Sequence, residues 1–130
     1  MNKNNNLAAL AGFSFIIDMA RKMSFMLTTQ QMKDRTKTKT RRLGWWNLKD
    51  SEIIDAVEKG QGLKRGEKMK HIGQIQVLEH HREPLDAITQ ADVVAEGFPE
   101  LTPQQFIEMF CSANKCAANE IVNVITFTHL

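Results

Sequence analysis

Residues 73–79 read Gly-Gln-Ile-Gln-Val-Leu-Glu, and polar and apolar side chains alternate along them. This period of two predicts a β-strand that buries one of its faces. The segment at 52–58 (Glu-Ile-Ile-Asp-Ala-Val-Glu) is a second strand candidate, because loop residues flank its Ile-Ile pair. A further strand is predicted at 120–128, near the end of the chain.

The N-terminal half carries shorter elements. Residues 24–28 (Ser-Phe-Met-Leu-Thr) are an apolar run of strand length, and residues 30–35 suit a helical turn or a loop. Residues 36–42 read Thr-Lys-Thr-Lys-Thr-Arg-Arg. This alternation predicts a strand with the threonines and Arg42 on one face and the lysines on the other. Residues 44–47 (Gly-Trp-Trp-Asn) are predicted to form a loop with bulky apolar side chains.

Two helices are expected before the last strand. Thr89 is a suitable N-cap for the first helix, which runs to about Glu96, and Gly97 suits its C-terminal end. Thr102 begins the second helix with a capping box and a proline at the first helical position. The apolar residues of this helix recur at helical spacing and predict one stripe that faces a core, namely Phe106, Met109, Phe110 and Ala113.

Short strands combined with two or three short helices indicate an α+β domain with a small curled sheet. Such a sheet protects its edges best by closing into a barrel. The chain has 130 residues, of which 42% are apolar and 25% charged, so one packed domain accounts for it. We expect a flexible lead at 1–12 and a single domain at 13–130.

The cysteine and histidine residues limit the kinds of redox and metal chemistry that the sequence supports. Cys111 and Cys116 are too few for a disulfide scaffold, and they fit a reducing, cytoplasmic compartment. His71, His80 and His81 have no recognised metal spacing with these cysteines, so neither a metal nor a cofactor is expected. No apolar run approaches the roughly 20 residues of a membrane span, and no membrane partner is expected.

Charge is distributed unevenly, although the formal net charge is only +2. Eight basic residues and one acid lie between Arg21 and Arg42, whereas eight acids and two basic residues follow from Glu79 to the end. A basic half attracts phosphate-bearing ligands such as RNA. Complementary packing of two oppositely charged halves explains the same asymmetry, and composition alone does not decide between the two interpretations.

Residues 36–42 combine lysine, threonine and arginine, a set suited to an anionic or carbonyl-bearing ligand. A threonine can act as a nucleophile, a lysine with a lowered pKa can accept its proton, and an arginine can bind an oxyanion. The simpler interpretation is an edge strand whose lysines face solvent and hinder aggregation.

The same segment, extended to Leu43, resembles the signature of ASCH domains, especially the compact type of phages and prophages. Met26, Leu27 and Met32 precede it as in that family. The resemblance continues in order along most of residues 24–130. It includes residues 63–67 (Leu-Lys-Arg-Gly-Glu), 82–85 (Arg-Glu-Pro-Leu), 88–89 (Ile-Thr) and 95–99 (Ala-Glu-Gly-Phe-Pro).

The resemblance implies a PUA-like β-barrel with two or three short covering helices and a cleft for RNA or a modified nucleoside. One bacterial branch of similar size hydrolyses N4-acetylcytidine to cytidine and acetate. Its lysine, threonine and glutamate correspond to Lys37, Thr40 and Glu96, which are therefore the expected catalytic residues. The residues expected to bind substrate are Lys39, Arg41, Arg42, Trp45 and Trp46, the tryptophans as a stacking platform for a base.

Two features of the motif set conditions on this chemistry. A regular strand would point Lys37 and Thr40 to opposite faces, because their separation is odd. They can cooperate only if the chain bends near Thr38 or if the strand begins after Lys37. The family's glycine two positions before the lysine is Arg35 in this chain, which changes the geometry if that turn needs a positive φ.

Three functions are therefore compatible with the sequence. The first is hydrolysis of an N4-acyl group, with Thr40 as nucleophile and Lys37 as base. The second is RNA binding without catalysis, through the same basic cleft. The third is cleavage of RNA, with Lys37 and Arg42 at a phosphate. The oligomeric state is not indicated.

Overall fold

The computed structural model describes residues 19–130, in which five β-strands and three α-helices form an α+β fold. The expected lead at 1–12 and the first residues of the expected domain lie outside the described residues. In chain order the elements are β1 (Arg21–Ser24), α1 (Thr29–Lys33), β2 (Lys39–Arg42), β3 (Ile53–Val57), β4 (His71–Pro84), α2 (Gln90–Ala95), α3 (Pro103–Asn114) and β5 (Ile121–His129). Every helix within residues 19–130 is too short or too polar to traverse a bilayer.

The strands form one curled sheet, half of a barrel, in the order β1-β3-β4-β5-β2. β1 runs parallel to β3, and all other neighbours are antiparallel. β1 and β2 are thus the two edges of the sheet. Arg42 in β2 connects these edges, because its Nη2 donates to the Ser24 carbonyl oxygen of β1 at 2.8 Å. The expected curled sheet is confirmed as an open half-barrel whose gap is bridged by a side chain.

Two apolar cores meet at β5, because alternate residues of a strand point to opposite faces. Ile125 and Phe127 belong to the first core, which lies against β1, β3 and β4. Val122 and Val124 belong to the second core, which lies beneath α2 and α3. β5 therefore packs the helical layer against the sheet, and this contact fixes the position of α3 relative to β2.

The apolar run at 24–28 is not the strand that its composition predicts. β1 lies upstream, since its backbone pairs with β3 from Arg21 to Ser24. The next residues form a short 3-10 turn that leaves Met26 and Leu27 with 61% and 63% of their surface exposed. The prediction is corrected because the apolar side chains of this turn face an open cavity rather than a sheet.

The other elements are confirmed, except that the strand predicted at 36–42 is shortened to 39–42. Both expected helices begin with a capping box, formed by Thr89 and Asp92 in α2 and by Thr102 and Gln105 in α3. Gly97 follows α2 with a φ of +101°, in the region that only glycine adopts freely. β3, β4 and β5 occupy the segments where strands are predicted, and α1 is the expected helical turn.

The turn between α1 and β2 directs Lys37 towards the interior. Arg35 has a φ of +63°, so the position of the family's glycine does adopt a left-handed conformation. The carbonyl oxygen of Gln31 holds this turn by accepting from the backbone N–H groups of Thr36 and Lys37, at 3.0 and 3.3 Å. β2 begins only after Lys37, as cooperation between Lys37 and Thr40 requires.

Candidate functional site

A cavity of about 220 Å³ lies between β2, the turn after β1 and helix α3. Its charged side chains and one threonine come from β2 and the segments that flank it in space, namely Lys37, Thr40, Arg41, Arg42 and Glu96. Ser24, Thr28 and Asn114 complete its polar lining. Its apolar lining comes chiefly from α3 and the loop before it, and includes Phe98, Phe106, Met109, Phe110 and Ala113. The exposed side chains of Met26 and Leu27 also line it. The cavity therefore has both a charged and an apolar lining.

Lys37 and Glu96 form a buried ion pair in the polar lining, each with 3% of its side chain exposed. Lys37 Nζ donates to Glu96 Oε1 at 2.9 Å and to the Glu96 backbone oxygen at 2.8 Å. Burial lowers the pKa of Lys37, and the charges of Arg42 and Arg41 lower it further, while Glu96 opposes the shift. A neutral amine is therefore more accessible at Lys37 than at an exposed lysine.

Arg41 is a buried cation held among carboxylates. Its Nη1 donates to Glu96 Oε2 at 2.9 Å, while its Nη2 lies 3.2 Å from Asp92 Oδ2 and 3.8 Å from Glu83 Oε1. Glu96 therefore divides its two oxygens between Lys37 and Arg41, which fixes the orientation of its carboxylate. Arg41 Nε is buried without a hydrogen-bond partner among the residues described.

Thr40 and Arg42 lie side by side on one face of β2. Arg42 Nε donates to Thr40 Oγ1 at 3.0 Å, and the guanidinium carbon lies 4.8 Å from the ring centroid of Phe25. Burial lowers the pKa of Arg42 to about 10, against the opposing charge of Glu96. Since the Thr40 oxygen accepts this bond, its own proton is free for another acceptor. The neighbouring cation would also stabilise an alkoxide at Thr40.

The structure thus brings Lys37, Thr40 and Glu96 to one cavity, together with Arg41 and Arg42. Lys37 enters from the turn before β2, Thr40 from within that strand, and Glu96 from the end of α2. The motif at 36–42 supplies Lys37, Thr40, Arg41 and Arg42. Glu96 is the glutamate that the resemblance matches with this motif. Their convergence gives an amine, an alcohol and a carboxylate within one walled space.

Three residues expected to bind substrate lie outside this lining, namely Lys39, Trp45 and Trp46. Lys39 Nζ reaches Asp92 Oδ1 at 3.1 Å instead, because strand alternation turns it away from Thr40. Trp45 packs against the first core beneath the guanidinium of Arg21, and Trp46 carries Arg82 over its ring. These three residues therefore do not line the cavity, and their contact with a substrate stays a prediction.

The apolar lining of the cavity could not be predicted from the sequence. The stripe on α3 was expected to face a core, and Phe106 and Phe110 are indeed buried in one. Yet the same stripe also lines the cavity, and Ala113 at its end is exposed. Helical periodicity detects an apolar face but not what the face contacts, so no signal in α3 itself distinguishes a core from a cavity wall.

The described residues contain no cluster suited to a metal ion. No group of three or more His, Cys, Asp or Glu side chains is arranged to hold one within residues 19–130. The carboxylates near the cavity contact protein cations, as Glu96 and Asp92 do. The histidines have partners of their own, such as Asp55 Oδ2 at 2.7 Å from His71 Nδ1.

Comparisons with known proteins identify the fold. No family model matches the sequence, and no curated protein matches it. The structure is similar to that of a protein from Enterococcus faecalis V583 of the family DUF984, with a TM-score of 0.58 and 14% identity over 86% of this chain and 77% of that one. It is also similar to an ASCH domain from Lactobacillus crispatus JV V101, with a TM-score of 0.56 and 10% identity over 84% of this chain and 78% of that one. The chain therefore has the fold of an ASCH domain.

Proposed function

We propose that the cavity binds the base of an N4-acetylated cytidine and that the chain hydrolyses it to cytidine and acetate. The observation that carries this proposal is the placement of Lys37, Thr40 and Glu96 in the lining of one cavity. The ASCH fold and the resemblance of residues 36–42 to the motif of N4-acetylcytidine hydrolases support the choice of substrate.

The proposed reaction uses the side chains that line the cavity together, with Lys37 oriented by Glu96 and Thr40 by Arg42. Thr40 Oγ1 attacks the acetyl carbonyl carbon while neutral Lys37 accepts the hydroxyl proton. Arg42 stabilises the oxyanion of the tetrahedral intermediate. Lys37 then returns the proton to N4 as the C–N bond breaks, which releases cytidine and leaves an acetyl ester on Thr40. Water, deprotonated by Lys37, hydrolyses this ester to acetate and restores the hydroxyl.

Glu96 is a positioning residue in this scheme. Its Oε1 orients the Lys37 amine, while Arg41 prevents the carboxylate from rotating away. Its negative charge also balances the cations of the polar lining and raises the pKa of Lys37, whereas burial and the charges of Arg42 and Arg41 lower it.

The size of the cavity favours a small substrate group. Its volume of about 220 Å³ suits a pyrimidine ring with a short acyl group. Phe98, Phe106 and Met109 offer apolar contacts for the faces of the ring.

The test is a chromatographic assay of N4-acetylcytidine turnover. Thr40→Val and Lys37→Ala are expected to abolish release of cytidine while the fold, followed by circular dichroism, persists. Thr38→Val is the matched control for Thr40→Val, because Thr38 is exposed and lies outside the cavity lining. The proposal is wrong if the wild-type chain is inactive or if Thr40→Val retains full turnover.

One observation favours RNA binding without catalysis as a second candidate. The segment between β3 and β4 carries five cations, Lys59, Lys64, Arg65, Lys68 and Lys70, and only Lys59 has an ion pair with a carboxylate among the described residues. This basic loop starts beside the cavity, since Ser24, a lining residue, donates to the Glu58 carbonyl oxygen at 3.1 Å. Phosphates of an RNA strand could contact the loop while one base enters the cavity.

A further inference from the structure

Cys111 and Cys116 lie next to each other at the C-terminal end of α3. Their sulfur atoms are 4.0 Å apart, and both side chains are half-buried and unbonded to any other cysteine. The helix ends between them, because Lys115 adopts a φ of +52° and turns the chain back. The backbone N–H of Cys116 donates to the Cys111 carbonyl oxygen at 3.3 Å, which holds the two residues together.

We propose that Cys111 and Cys116 are a redox modification site, where a reversible disulfide closes the last turn of α3. A disulfide has an S–S distance of about 2.05 Å, so the sulfurs must approach by about 2 Å. Half-burial leaves them accessible to a small oxidant. Their contact also makes the second step of disulfide formation intramolecular and therefore fast.

The reaction needs a disulfide oxidant such as glutathione disulfide. One cysteine thiolate attacks it, forms a mixed disulfide and releases one glutathione thiolate. The second cysteine thiolate then displaces the remaining glutathione. In total, the protein loses two protons and two electrons, and one glutathione disulfide becomes two glutathione thiols. Burial and the neighbouring Cys111 raise the pKa of Cys116, which keeps this thiol protonated and protects the pair from indiscriminate oxidation.

The site is connected to the cavity through the residues that the disulfide would enclose. Ala113 and Asn114 line the cavity and lie between the two cysteines in sequence. Asn114 Nδ2 donates to the Phe110 carbonyl oxygen at 3.0 Å, so a shift of this turn also reaches Phe110. Thr40 and the charged side chains of the lining lie on other elements. If the proposed hydrolysis is correct, oxidation should therefore change KM and leave kcat largely unaltered.

The redox state of the two thiols can be measured without an assay of enzymatic activity. The full chain is equilibrated in glutathione buffers of graded redox potential, and free thiols are then trapped with a maleimide and counted by mass spectrometry. We expect both thiols to disappear together, with a mass two hydrogens below that of the reduced chain and no increase in oligomer size. Cys111→Ser and Cys116→Ser should instead stop at a mixed disulfide with glutathione.

The outcomes that contradict the site are stable glutathione adducts on the wild-type chain, disulfide-linked dimers, or two maleimide labels in the most oxidising buffer. The effect on the cavity is measured separately, as KM for N4-acetylcytidine in reduced and oxidised protein. A change of about threefold or more that both serine variants lack supports the regulatory role. An inactive chain that still forms the disulfide would refute the proposed hydrolysis and leave the modification site intact.

Discussion

Lys37 Nζ and Glu96 Oε1 lie 2.9 Å apart with both side chains almost fully buried, although the residues are 59 positions apart in the chain. Arg41 binds the other oxygen of the same carboxylate. One buried anion therefore stabilises two buried cations, and each of the three groups depends on the other two. This dependence has consequences for stability that can be measured without knowledge of the substrate.

Glu96→Gln should be strongly destabilising, because it leaves Lys37 and Arg41 without their shared counter-charge. Removing one member of a buried ion pair costs about 3–5 kcal/mol in the free energy of unfolding. Lys37→Met should cost less, since Glu96 keeps Arg41 as a partner. Urea denaturation of the two variants gives the comparison, with Glu100→Gln as the control at an exposed acid. Equal stability of Glu96→Gln and wild type would contradict the coupling.

The pH dependence of activity and of stability follows from the lowered pKa of Lys37. In the proposed reaction the neutral amine is the base, so kcat/KM should rise with pH along a limb centred below 10.5, the ordinary value for lysine. For folding, a depressed pKa of Lys37 means that the free energy of unfolding increases with pH. The contribution of this group to stability is present above pH 10.5 and is lost as the pH falls through the lower folded value.

A pH–rate profile and an NMR titration of the Lys37 side chain measure this pKa independently. Arg42→Gln removes a cation that lowers the pKa, so the limb should move to higher pH in that variant. Lys39→Gln is the control, because Lys39 contacts Asp92 rather than the cavity. A midpoint at or above 10.5 in the wild-type chain would show that the amine is not perturbed.

Arg35 is a position where glycine should be tolerated or favoured. A left-handed conformation costs roughly 1–2 kcal/mol for a residue with a side chain, against about 0.5–1 kcal/mol of extra entropy lost by glycine. Arg35→Gly should therefore change stability by less than about 1 kcal/mol, in the stabilising direction. Arg35→Val should destabilise, because a β-branched side chain fits this conformation poorly.

Arg35→Ala separates the backbone effect from the loss of the side-chain bond, in which Arg35 Nη2 donates to the Leu130 carbonyl oxygen at 3.2 Å. Chemical denaturation of the three variants gives the order. The interpretation of the turn fails if valine is as stable as glycine at this position.

Gly97→Ala should disturb the site from the side of α2. A Cβ at this position would lie 2.8 Å from Gln31 Cγ and 3.5 Å from Lys37 Cβ, and the φ of +101° is itself unfavourable for alanine. We expect a loss of more than about 1 kcal/mol in the free energy of unfolding. Adding Gln31→Ala should recover only the part that comes from the collision with Cγ, because alanine keeps the Cβ atom that would lie 2.9 Å away. A double-mutant cycle measures that part, and zero coupling would contradict the close approach.

Much of this architecture could be predicted from short stretches of the sequence. Capping boxes at Thr89 and Thr102 are read from residues three positions apart, so both helices were predictable with their starts. The conditions on Lys37 and Thr40 were also predictable, since they follow from strand geometry alone. The structure satisfies them with a left-handed Arg35, which composition would not suggest.

The tertiary contacts of the site could not be predicted in this way. Lys39 and Arg41 alternate with Thr40 in sequence, yet Arg41 lines the cavity while Lys39 does not. The difference depends on Glu96, which reaches Arg41 from another element. Aromatic content at Trp45 and Trp46 suggested stacking, but both rings already carry arginines of this chain. Such partners are set by the fold and leave no local pattern.

If the basic loop between β3 and β4 contacts RNA, as the second candidate function proposes, the affinity for RNA should fall as the salt concentration rises. Each phosphate contact with a single strand contributes about 0.7 to the slope of log K against log salt, so four contacts give about 2.8. Replacing Lys64, Arg65, Lys68 and Lys70 with glutamine should remove most of this slope for a short single-stranded RNA. Fluorescence anisotropy at graded salt concentrations measures it.

Lys49→Gln is the matched control for the loop, because Lys49 is exposed and precedes β3, whereas the loop follows that strand. The four steps between the five residues of β3, at roughly 3.3 Å each, place its ends about 13 Å apart. An unchanged slope in the fourfold variant would exclude the loop as the RNA contact. If polyglutamate binds as tightly as the RNA, the partner of the loop is an acidic protein rather than RNA. Appearance of shorter RNA fragments that Lys37→Ala abolishes would establish cleavage rather than simple binding.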